Sequence, residues 1–106
     1  MAQTIDISGR LTNERPKLKL GKDLVFEVDN RKNTVFKVEE VSNSPEYGDL
    51  ERFDVTLKLL LGEEAAQKID ALDLSFADYQ YVFIAAMATA TGEKIEDVEA
   101  RFQAAK

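Results

Sequence analysis

From Lys17 the chain reads "KLKLGKDLVFEVDN", alternating polar and apolar positions on both sides of Gly21-Lys22-Asp23. A period of two, built from Leu, Val and Phe around a turn, predicts a β-hairpin over residues 17–30, with Asp29-Asn30 as a turn signal at its end. The period then lengthens. In "NTVFKVEEVSN" Val35, Val38 and Val41 share one helical face with Phe36 beside it, which predicts a helix over about 34–43 capped by Asn33 or Thr34. The β-branched content keeps a strand as the alternative there. Pro45 in "SNSPEYG" breaks the element, because proline disfavours helical geometry in the residue before it.

Helical period dominates from Asp49 onward. Leu50, Phe53, Leu57, Leu60 and Leu61 form an apolar stripe over 49–61, and Gly62 permits a bend or a C-cap. A helix over 63–72 follows, with Glu63-Glu64 at its positive end and Ala65, Ile69 and Leu72 turned inward. Ser75 is the clearest helix start: its hydroxyl is placed to accept from the Asp78 N–H, with Asp78 reaching back as in a capping box and Leu74 set opposite Tyr79 as a staple. That helix should run over 76–90 and stop at Thr91-Gly92. The last helix, 94–105, carries Ile95, Val98 and Phe102 on one face. The predicted fold is α+β, mostly helical: an N-terminal β-hairpin followed by four to five helices, one globular domain over 17–106 preceded by a mobile arm, residues 1–16.

The apolar run Tyr81 to Ala88 is eight residues long, well short of the roughly 20 needed to cross a bilayer, so it should lie in a core or a protein interface. Two stripes share its helix. Phe76, Tyr79, Phe83, Ala86, Met87 and Ala90 are expected to fill the centre of the domain. Tyr81, Ala85 and Ala88 form a second stripe of mostly small side chains that admits a neighbouring backbone. With Leu61 and Phe102, these three are the candidate protein-interaction residues, and core packing is the competing reading for each of the five.

Composition, 44% hydrophobic and 32% charged in 106 residues, is that of a globular domain. The formal charge of −6 is divided unevenly, with eight Lys/Arg against five Asp/Glu in residues 1–37 and six against fifteen in 38–106. An acidic body repels a phosphate backbone, which argues against nucleic-acid binding. The chain has no cysteine and no histidine, which removes thiol and imidazole chemistry and the commonest ligands of a transition metal. The acidic pairs Glu39-Glu40, Glu63-Glu64 and Asp70/Asp73 have no motif around them, and neighbours on a helix diverge by about 100°, so solvated surface is the simpler account. The five glycines are isolated, which argues against a phosphate loop. No enzyme activity and no cofactor are expected. The start, "MAQTIDISGR", lacks a secretory pattern, and a cytoplasmic protein is expected.

"NTVFKVEEV", "LKLLLGEEAAQKIDALDLSFADYQYVFIAAMATATG" and "IEDVEARF" together resemble the tail assembly chaperones of long-tailed bacteriophages and prophages of Gram-positive hosts, over about residues 22–104. The resemblance implies a non-catalytic protein of the host bacterial cytoplasm that binds the tape measure protein and keeps it soluble until tail tube protein polymerises around it. It also implies self-association and a longer, frameshifted version of which this chain looks like the shorter form. Residues 1–16 have no counterpart in the resemblance. The competing readings are a structural virion protein of the tail, such as a completion or connector component, and a cytosolic regulatory binding protein.

Overall fold

The computed structural model describes residues 2–12 and 14–104. Strands β1 (Lys17–Gly21) and β2 (Leu24–Glu27) form the hairpin, and five helices follow: α1 (Lys32–Asn43), α2 (Asp49–Leu61), α3 (Glu63–Ala71), α4 (Phe76–Thr91) and α5 (Ile95–Ala104). The fold is α+β and mostly helical, as the periodicity predicts. The final residues of the helix expected to end near 105 lie outside the described residues.

The hairpin pairs Leu18 with Phe26 and Lys19 with Val25, and then Gly21 with Leu24, so that Leu20 is the extra residue of a bulge. One more ladder bond, Val28 N–H to the Pro16 carbonyl at 2.9 Å, extends the pairing and buries Val28 completely. The Asp29 N–H then donates to the Leu60 carbonyl at 2.8 Å. That bond satisfies one of the carbonyls the last turn of α2 leaves unpaired, and so fixes the hairpin to the helical body.

Asp29 also organises the start of α1. One carboxylate oxygen accepts from the Arg31 N–H at 3.1 Å and from Arg31 Nε at 2.9 Å; the other accepts from Arg31 Nη2 at 2.9 Å and from the Thr34 hydroxyl at 2.8 Å. The helix therefore begins at Lys32 with Arg31 at the N-cap, two residues before the expected start. Thr34 and Asn33 do not cap it. Thr34 lies inside the first turn and spends its hydroxyl as a donor to Asp29. The side-chain hydrogen bonds from Arg31 hold the Asp29 carboxyl well below the usual carboxylate range, against the opposing effect of its partial burial.

Helices α2 and α4 form the centre: α2 touches α1, α3 and α4, while α4 touches α2, α5 and β1. Their shared core holds Val28, Val38, Leu57, Leu60, Ala86 and Ala90, with Leu18, Leu61 and Met87 packed against it. Alanine at 86 and 90 leaves room for the other elements to approach α4 closely, at little side-chain entropy cost. A second cluster, Ile84, Ala88 and Val98, joins α4 to α5. The expected Ser75 cap is present, with the Asp78 N–H donating to its hydroxyl at 3.2 Å. Gly92 ends α4 at φ 75°, in the left-handed region, and its N–H bonds to the Ala88 carbonyl at 2.9 Å. Arg101 then reaches back from α5 to grip Glu93 with two bonds, at 2.6 and 3.0 Å. Gly62 joins α2 to α3 at φ 93°, a conformation that costs a residue with a Cβ.

Candidate docking cleft

Two helical stripes emerge at the surface at their N-terminal ends. Leu50, in the first turn of α2, is 62% exposed, and Phe76, the first residue of α4, is 55% exposed. Phe76 was expected to help fill the centre of the domain, and Leu50 opens the apolar stripe of α2. The stripes enter the core only from Phe53 and Tyr79 onward, because a helix N-terminus at the domain edge has no neighbouring element to cover its first turn.

Between these turns lies a cleft of about 660 Å³ lined by Leu50, Phe53, Phe76, Phe83, Phe102 and Thr56. Phe53 is its floor. The ring centroid of Phe53 lies 4.6 Å from Phe83, 5.7 Å from Phe102 and 6.5 Å from Phe76, with interplanar angles of 46–60°. Phe83 and Phe102 are 5.9 Å apart. Tilted ring pairs at such separations gain about 0.5–1.5 kcal/mol each beyond the area they bury. The four rings thus form a preorganised aromatic bowl with its rim open to solvent.

Two buried polar atoms accompany the rings. Thr56 is 1% exposed, and its hydroxyl finds no hydrogen-bond partner among the described residues; neither does Arg52 Nε. The rest of the Arg52 guanidinium is engaged, with Nη2 donating to the Ser44 carbonyl at 2.7 Å and Nη1 to Asp49 at 3.2 Å. An unpaired buried donor costs about 1–3 kcal/mol. Both residues line the cleft, with these two atoms buried behind its surface.

The five residues singled out in the sequence do not converge. Ala85 and Ala88 are 6% and 3% exposed, enclosed in the domain itself, Ala88 against Ile84 and Val98. Leu61 is half-buried against the main core. Tyr81 is half exposed, and Phe102 is the one member of the set that lines the cleft. What sequence reasoning missed was the pairing of Leu50 with Phe76. Its signal is present: both are bulky apolar residues in the first turn of a well-marked helix.

On α4 Tyr79 donates its phenolic hydrogen bond to Asp54 of α2. Burial, followed by that bond, pushes the Tyr79 phenol well above its ordinary value. The acidic pairs 39–40, 63–64 and 70/73 are all exposed, and among the described residues no three acidic side chains are gathered as a metal site would need. No helix among the described residues is long and apolar enough to cross a membrane. Neither a protein-family model, nor a curated protein, nor a solved structure matches this chain.

Proposed function

We propose that this chain is a tail assembly chaperone of a long-tailed bacteriophage, a non-catalytic protein of the host bacterial cytoplasm that binds and solubilises the tape measure protein during tail morphogenesis. The observation that carries the reading is the open aromatic cleft, with Leu50 and Phe76 exposed at its rim and unpaired Thr56 and Arg52 groups in its wall. An apolar segment of a partner laid into it would cover the rings, as in helix-in-groove recognition. A tape measure protein, long and rich in apolar helical stripes, presents many such segments. The acidic helical body keeps the resulting complex from self-precipitating.

Co-expression with the product of the gene immediately downstream tests the reading. The partner is expected in the soluble fraction only when this chain is present, and in the pellet when Leu50→Asp and Phe76→Asp are combined. A partner that stays insoluble beside the folded wild-type chain overturns the proposal. The exposed residues before the hairpin favour one other reading, a structural tail protein whose arm interlocks subunits. Mass spectrometry of purified particles separates the two, since a chaperone is absent from the finished virion and a structural protein is present in stoichiometric amount.

A further inference from the structure

Helix α5 is held to the body along one narrow line. Among its described side chains only Val98 is buried, against Ile84 and Ala88 of α4, while Ile95 and Phe102 are half-buried beside it. Two unfilled spaces adjoin the helix. Phe102 stands in the wall of the aromatic cleft, and a second cavity, of about 240 Å³, is lined by Val35 and Val38 of α1, Met87 of α4 and the Arg101–Glu93 pair. That ion pair is open to solvent, with side-chain exposures of 60% and 33%, and pairs of this kind add little stability. A segment with so little enclosed apolar surface opens at a lower free energy than the core on which it rests. Its junction separates it further: Gly92, at φ 75°, ends the hydrogen-bonded ladder of α4 before α5 begins at Ile95.

We infer that α5 is a lid on α4, opening as one unit about Gly92 while the hairpin and α1 to α4 stay folded. The rest of the domain loses little by this movement. Its main core, built around Val28, Leu57, Leu60 and Ala86, contains no α5 residue. Opening withdraws Phe102 from the rings of Phe53 and Phe83, whose centroids lie 5.7 and 5.9 Å away, and bares Ile84 and Ala88. The cleft thereby lengthens along α4. A docked segment that reaches past Phe83 meets this added surface only after α5 has lifted. The movement follows from packing within the chain, and only its use at the cleft rests on the docking role proposed above.

Native-state hydrogen exchange of the full chain alone, read by NMR in rising sub-denaturing urea, provides the test. The amides of residues 99–103 should share one opening constant, on the order of 10-fold or more above that of Leu57 and Leu60 in α2, with a weak dependence on urea. Val28→Ala supplies a second arm. Loss of this core contact should speed exchange at Leu57 and Leu60 on the order of 10-fold and leave residues 99–103 unchanged. Val98→Ala should speed both groups alike, because its contact is broken in both kinds of opening. Exchange in α5 that matches α2 at every urea concentration, or that Val28→Ala speeds equally, means that α5 opens only with the whole domain and overturns the inference. A steady gradient of rates rising toward Ala104 is end fraying and overturns it as well. None of these results depends on whether a tape measure protein is solubilised.

Discussion

Tyr79 of α4 donates a hydrogen bond to Asp54 of α2, 25 positions earlier in the chain, tying together the two helices at the centre of the fold. Tyr79→Phe removes the bond and leaves the ring. A hydrogen bond to a charged acceptor contributes about 1.5–3 kcal/mol when buried, and the exposure of Asp54 brings the expected loss to about 1 kcal/mol. Urea unfolding of the two single variants and the Tyr79→Phe/Asp54→Asn double variant should show a coupling between them.

The same pair predicts a limit at high pH. Folding raises the Tyr79 phenol above its ordinary value, so the neutral form is the one the fold favours. Its contribution is complete below about pH 10, the value expected in the unfolded chain, and is lost as the pH rises beyond that. Above pH 10 the wild type should lose stability more steeply than Tyr79→Phe, as read from urea midpoints between pH 8 and 11.

Asp29 sets the opposite limit. Its carboxyl is held below the usual range, so the ionised form stabilises the fold above about pH 4, and that contribution is lost as the pH falls further. Asp29→Ala removes the acceptor for Arg31 and for the Thr34 hydroxyl, with an expected cost of about 1–2 kcal/mol at pH 7. As the pH falls from 5 to 2 the gap between variant and wild type should narrow without closing, because the carboxyl of the folded chain titrates lower still.

Thr56→Val should separate folding from docking. Valine has the shape of threonine without the unpaired hydroxyl, so stability is expected to rise by about 1 kcal/mol. The hydroxyl is buried out of reach of a docked segment, so the soluble client fraction should be unchanged. A raised urea midpoint with an unchanged slope, measured beside the soluble client fraction, checks both halves.

Ala88→Glu should fail as a domain before it fails as a binder. Ala88 is enclosed between Ile84 and Val98, and a carboxylate there has no counter-charge among those neighbours. A loss of at least about 3 kcal/mol, or failure to fold, is expected. Tyr81→Glu, at a half-exposed position, should stay within about 0.5 kcal/mol of wild type in the same thermal melts.

Local signals carried the elements a long way. The switch from period two to period 3.6 near residue 31, the Ser75 cap, and the left-handed stop at Gly92 each act within one turn of chain, and each recurs in the structure. The start of α1 was less legible. Asp29, Arg31 and Thr34 form a single hydrogen-bonded knot, and their mutual geometry depends on where the hairpin releases the chain.

By itself the sequence determined the order and type of the elements, the lack of thiol and imidazole chemistry, and the division into a basic N-terminal third and an acidic helical body. Those properties live in residue identity and in spacing along one helix or strand. Which apolar residues are covered was decided only by tertiary structure. Ala88 and Leu50 both occupy apolar helical positions, yet α5 packs over the first and no described element packs over the second. Periodicity gives the side of a helix that is apolar. Whether another element lies against each turn of that side depends on the lengths and crossing of helices distant in sequence, and that is what left the rings of Phe53, Phe76 and Phe83 as an open cleft.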